Sequence, residues 1–188
     1  LIKTEQLRSA IALFDELIVE KPEESTFWVA QANAFLSSEQ TVKAIANLQM
    51  LSDAGTSTWE SQRMLGDLYL NEDLSKLALD SYALGYRKHP PVAASQAVQP
   101  LIYLVGRRCF EEAQTFFQLI QSDIQGKLGL ELQRQVNTAL ARIEMRLGDP
   151  EKAYAILTAS VEEDPLDGNS LILLGEYLLE TQDYEESE

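Results

Sequence analysis

One cysteine, one histidine and six prolines in 188 residues leave little for chemistry to work with. The lone cysteine, Cys109, rules out an intrachain disulfide and gives no reading of redox compartment. With a single histidine, His89, no thiol–imidazole pair has a spare member, and no two His or Cys residues stand at metal-ligand spacing. Calcium would need an Asp-x-Asp-x-Asp-Gly loop and phosphate a glycine-rich turn after a strand, and neither pattern occurs. Positive charge is scarce too. Lys and Arg number 15 against 30 Asp and Glu, a net charge of −15, whereas nucleic acid and anionic membranes both call for a clustered cationic surface. No apolar run approaches the ~20 residues that cross a bilayer; the longest, from Leu171 to Leu179, is interrupted by Gly175 and Glu176. The expectation is a chain with no catalytic residues, no metal, no cofactor, no nucleic-acid partner and no membrane insertion.

What the sequence does have is a period. Ala10, Ala44, Ala78, Ala113 and Ala153 are spaced 34, 34, 35 and 40 residues apart, and Ser187 falls 34 further on. A 34-residue repeat is the mark of a helical-hairpin solenoid. Around each alanine a bulky residue, a small one and an aromatic or Leu recur at helical spacing, in two consecutive helices joined by a short polar turn. A single hairpin cannot bury its apolar face alone, so neighbours must stack. Such a ribbon suits binding another chain better than enclosing a substrate. The acidity fits solubility first and a basic partner segment second. The runs at Glu162–Glu163–Asp164 and at Glu185, Glu186 and Glu188 read as solvated faces.

The spacing predicts an all-α chain of about eleven helices and no strand. The units are an orphan second helix in 1–24, full units at 25–58, 59–92, 94–127 and 134–167, and a truncated unit at 168–188. Ser57 and Glu60 suggest a capping box before the helix containing Trp59. Gly148–Asp149–Pro150 reads as a helix stop, an N-cap and a proline in the first turn of the next helix. Pro22, Pro90 and Pro165 each close a second helix. His89 lies at such an end, where a cation suits the terminal carbonyls, and Cys109 sits in a turn with no activating base. Two irregularities coincide. Pro100 and Leu101 stand where a Leu and a small residue belong, and the 40-residue step places six extra residues near Gly126 to Gln133.

In these residues the chain resembles the tetratricopeptide repeat family over essentially its whole length. Leu65, Gly66, Tyr69, Ala78, Tyr82 and Pro90 carry nearly the full pattern in one unit. Trp28, Ala32, Phe35, Ala44 and Leu48 carry it in the one before, and Leu140, Ala141, Gly148, Asp149, Ala153, Leu157 and Pro165 in a later one. Leu174, Gly175, Asp183 and Tyr184 begin another. The resemblance implies a right-handed superhelix whose first helices line a concave, partner-binding side. Carried over, that face is Asn33, Leu36 and Ser37; Arg63, Asp67, Leu70 and Asn71; Val98, Ile102 and Val105; Thr138, Arg142, Met145 and Arg146; then Ile172, Glu176 and Leu179, with Leu36 and Leu70 alternatively packing against each other as partial core. Its mixed chemistry suits a peptide or helical segment of another protein. Arg142 and Arg146, one helical turn apart, would receive a carboxylate, unless Glu144, Glu131 or a neighbouring helix occupies them. Val29 stands where members that clamp an acidic chaperone tail carry a Lys, which sets that subclass aside although Asn33 matches. Homodimerisation through apolar ends (Phe14, Leu17 and Ile18; Leu174, Leu178 and Tyr184) and a regulatory appendage of a larger multidomain protein are the other readings.

Overall fold

The computed structural model describes residues 2–185, with side chains over 5–181. Ten helices and no strand are found among them, one helix fewer than expected. They fall into two compact units, Leu1–Pro91 and Val92–Glu188.

The first unit contains α1 (Ile2–Glu20), α2 (Ser25–Ser37), α3 (Thr41–Asp53), α4 (Trp59–Asn71) and α5 (Ser75–Lys88). Consecutive helices pack on one another. Ala32, Ala44, Leu48, Leu65 and Leu68 form a buried cluster, with Phe35, Leu36, Ile45 and Tyr69 around it. The repeat alanines Ala44 and Ala78 have no exposed surface, because a larger side chain there would push the paired helices apart. Gly66 is the extreme case. A Cβ on it would lie 2.4 Å from the ring of Tyr82, itself wholly buried. Seating an aromatic of that size is worth roughly 2–3 kcal/mol in transfer free energy alone, so the glycine is the condition for the α4–α5 contact.

The turns inside the hairpins follow one design. The amides of Gln40, Leu74 and Cys109 each reach back five residues, to the carbonyls of Phe35, Tyr69 and Leu104, all at 2.9 Å, and Asp149 reaches Glu144 at 3.0 Å. This six-to-one bond defines the Schellman C-cap, which requires a left-handed residue in its middle. That residue is Gly148 (φ 107°) once, but Glu39, Asp73 and Arg108 elsewhere, with φ of 60°, 59° and 60°.

Local starts are as chemistry dictates, with one correction. The capping box before α4 is formed by Thr58 and Ser61, not Ser57 and Glu60. The Thr58 hydroxyl accepts from the Ser61 amide at 3.3 Å, and the Ser61 hydroxyl from the Thr58 amide at 2.8 Å. Ser57 is buried one residue too early to cap. At α9 the expected arrangement holds, with left-handed Gly148, Asp149 accepting from the Lys152 amide, and Pro150 at the first helical position.

The second unit contains α6 (Ala94–Gly106), α7 (Phe110–Ile124), α8 (Leu130–Leu147), α9 (Pro150–Glu163) and α10 (Gly168–Glu185). Pro100 lies buried inside α6, which continues through it. The six extra residues are divided between a link at 125–129, turned by left-handed Gly126, and a lengthened α8 that starts at Leu130, ahead of the expected boundary at 134. Leu101, Phe116, Ile120, Ile143 and Leu157 make up the buried interior. α10 runs unbroken from Gly168 to Glu185, through most of the expected truncated unit at 168–188. Ser187 and the side chains of Asp183 and Tyr184 lie outside the described residues.

Candidate functional site

In the second unit α6 packs against α8, and α8 against α10, so three first helices present one face. Two cavities open along it. One of about 230 Å³ is bounded by Ile102, Gln135, Thr138, Ala139 and Asn169. The other, of about 210 Å³, is bounded by Arg108, Phe110, Met145, Arg146, Leu173 and Glu176. Val105, Gly106 and Arg142 line both, which makes the pair a single groove. Its middle is bare, because a Cβ on Gly106 would meet no atom within 4 Å. Of the residues expected on the partner-binding face, Ile102, Val105, Thr138, Arg142, Met145, Arg146 and Glu176 converge here. Val98 does not. It is wholly buried, because the inward side of α6 needs it for packing.

The groove is electrostatically open. Arg146 approaches Glu180 at 3.9 Å, with both side chains more than half exposed, a contact worth about 0–1 kcal/mol. Arg142 and Arg108 have no carboxylate partner among the described residues. Two acids near Arg142 in the sequence, Glu144 and Glu131, have other partners. Glu144 is held by Lys152, and Glu131 lies 3.8 Å from Arg134, whose main partner is Asp164 at 2.7 Å. Arg108 escaped the sequence reading because it sits in a hairpin turn and not on a first helix. The signal was there: at the equivalent turn positions stand Glu39, Asp73 and Gly148, and only here a base.

The corresponding residues of the first unit behave differently. Arg63 donates to Asp67 at 2.5 Å, and the Tyr82 hydroxyl donates to the other oxygen of Asp67 at 2.8 Å. Burial pushes the Asp67 carboxyl above its ordinary range, against the pull of the Tyr82 hydrogen bond and the Arg63 charge. Leu70 is only 3% exposed and belongs to the interior, which removes it from the partner-binding face and leaves the core alternative. Leu36 packs against the Ala32–Leu48 cluster. Asn33 and Asn71 face solvent.

Elsewhere His89 is exposed at the C-cap of α5, and the Cys109 thiol donates to the Arg107 carbonyl at 3.6 Å. Among the described residues no three His, Cys, Asp or Glu side chains are grouped to hold a metal ion. No helix among them is long and apolar enough to cross a membrane.

Stacked hairpins with Schellman turns and a grooved first-helix face define a helical-repeat protein. The tetratricopeptide repeat model matches residues 138–188. Among solved structures, YrrB, described as a tetratricopeptide protein with an unusual peptide-binding site, aligns at a TM-score of 0.62 and 18% identity. That match covers 91% of this chain and 84% of YrrB. TTC0263, a thermophilic tetratricopeptide protein of Thermus thermophilus, aligns at a TM-score of 0.46 and 17% identity, over 93% of this chain and 92% of the other. No curated protein matches significantly. The fold is thus the helical-hairpin solenoid of tetratricopeptide repeat proteins, with the family's sequence pattern matched in residues 138–188.

Proposed function

We propose that this chain is a non-enzymatic interaction scaffold whose second unit holds an extended or helical segment of another protein in the α6–α8–α10 groove. The observation that carries this reading is the pair of cavities joined at Val105, Gly106 and Arg142. They offer apolar anchor sites and polar edges together, the combination that peptide grooves use. The fold of YrrB, whose description names a peptide-binding site, supports a ligand of this kind. Affinity capture with the native chain beside an Arg142→Glu/Arg146→Glu variant tests it. A partner retained by the first and lost by the second, at equal helical content, supports the groove. Equal retention of every partner removes the arginines from it.

A second reading is self-association through α10. Leu171, Ile172, Leu178 and Leu179 on that helix are 43%, 63%, 44% and 66% exposed, two adjacent apolar pairs two turns apart. A molecular mass by sedimentation that stays monomeric across a hundredfold range of concentration would remove it.

A further inference from the structure

We infer that the groove selects its segment by an internal Asp or Glu side chain, taken by Arg108 and Arg142, beside an apolar residue seated on Val105, Phe110, Met145 and Leu173. This rests on the groove reading proposed above and adds the chemistry of the ligand.

Charge is the first argument. In a chain of net charge −15, the smaller cavity is lined by three arginines and one glutamate, Glu176. Glu180 approaches Arg146 at 3.9 Å, so Arg108 and Arg142 are the lining arginines with no ion-pair partner among the described residues, and against Glu176 the lining keeps a net positive charge. A guanidinium binds a carboxylate through two parallel hydrogen bonds, and Val105, Phe110, Met145 and Leu173 in the same lining seat the apolar neighbour.

Backbone strain is the second. Arg108 holds a left-handed conformation that glycine adopts without cost. Of the three non-glycine residues at such turns it alone lines one of these cavities. A side chain kept at a strained position beside a groove points to a use for that side chain.

Continuity is the third, and it fixes the source of the carboxylate. The groove runs on past Arg142 into the cavity of Gln135, Thr138 and Asn169, so a bound segment passes the arginines and does not end at them. The acid is therefore a side chain within the segment and not a chain terminus.

The test is selection of random twelve-residue peptides displayed with both ends blocked by fusion. An enriched peptide is then synthesised with an amidated C-terminus, and its affinity is measured by fluorescence anisotropy. Enrichment of Asp or Glu next to Leu, Ile, Val, Met or Phe is expected. Replacing that acid by its amide should weaken binding about tenfold, as should Arg142→Gln or Arg108→Gly. Arg108→Gly should at the same time raise the thermal midpoint of the free protein, a pairing that a merely structural arginine would not produce. Enriched peptides without an acid overturn the proposal, as do arginine variants that bind like the native chain, or a peptide that binds only with a free C-terminal carboxylate.

Gly106→Leu separates this from failure of the groove itself. Its side chain enters open space, so the variant should fold and fill the groove. If it loses the peptide while the arginine variants keep it, the groove stands and acid selection falls. If it binds unchanged, or if no peptide is enriched at all, both readings fail.

Discussion

Asp67 and Arg142 stand at the same place before their repeat alanines, Ala78 and Ala153, and so do Asn71 and Arg146, yet the two units use those places in opposite ways. In the first unit the charge is closed on itself, with Arg63, Asp67 and the Tyr82 hydroxyl forming one hydrogen-bonded chain. In the second, Arg142 is exposed beside a cavity and Arg146 has one distant partner. The repeat fixes where a residue sits, and its neighbours decide whether it stabilises the hairpin or stays available. A satisfied network rigidifies what surrounds it, whereas an unpaired guanidinium at a groove keeps its hydrogen bonds for a ligand.

The strongest way to break this contrast is at the glycines. Gly66 and Gly175 hold the same place in their repeats, relative to Ala78 and Ser187. A Cβ on Gly66 meets Tyr82 at 2.4 Å, and on Gly175 it meets nothing within 4 Å. Gly66→Ala should therefore cost about 3 kcal/mol by overpacking, read as a lower urea midpoint of the first unit. Gly175→Ala should cost nothing and gain slightly in helix propensity. Equal losses at both positions would mean that the glycines serve the backbone and not the helix–helix contact.

Next comes the closed network. Tyr82→Phe keeps the ring against Gly66 but deletes the hydrogen bond to the half-buried Asp67. A loss of about 1–2 kcal/mol is expected, the cost of leaving a partly desolvated carboxylate short of a donor. A neutral result would show that water replaces the hydroxyl and that the network is not closed.

The sequence carried more of the fold than of the site, for a physical reason. Helix existence rests on periodicity and on small residues at close contacts, and both are local, which is why the hairpins, Gly148–Asp149–Pro150 and the buried alanines were legible. Boundaries rest on which of several adjacent polar residues reaches an amide, so the cap moved from Ser57 to Thr58. Repeat position alone places Val98 on the partner-binding face and leaves Leu70 open between that face and the core. Inward or outward rotation of a helix by a fraction of a turn decides burial, and one sequence does not fix it. Arg108 shows in the sequence only as the basic residue among Glu39, Asp73 and Gly148 at equivalent turn positions; its place in the groove depends on a turn conformation that brings it beside residues far along the chain.

The arginines give the third test. Arg63→Gln gives up an ion pair with a partly buried acid and should cost about 0.5–1 kcal/mol in the first unit. Arg142→Gln gives up no internal partner and should leave stability within experimental error. If both destabilise alike, Arg142 has a structural role and the open character of the groove is lost.

A smaller effect is expected at the turns. Replacing a left-handed non-glycine residue by glycine removes its steric cost but loosens the unfolded chain, and the balance favours glycine by about 0.5 kcal/mol. Glu39→Gly and Arg108→Gly should both show this gain in thermal unfolding, with only the second affecting a bound peptide. A gain at Glu39 alone would mean that Arg108 makes interactions in the free protein that offset its strain.

The smallest effect is the dependence on pH. Burial raises the Asp67 carboxyl above its ordinary value of 3.8, so the folded first unit holds that proton more tightly than the unfolded chain does. The contribution is then fully present below the ordinary value and is lost as pH rises through the raised one. Asp67→Asn keeps an acceptor for the Tyr82 hydroxyl and removes the titration. The stability of the native chain relative to this variant should accordingly fall as pH rises through the weakly acidic range, as measured by urea unfolding at several pH values. A rise over the same window would mean that attraction to Arg63 outweighs the burial of the carboxylate. The first unit would then hold its acid as a charge, and the contrast with the open arginines of the second would be one of pairing alone and not of desolvation.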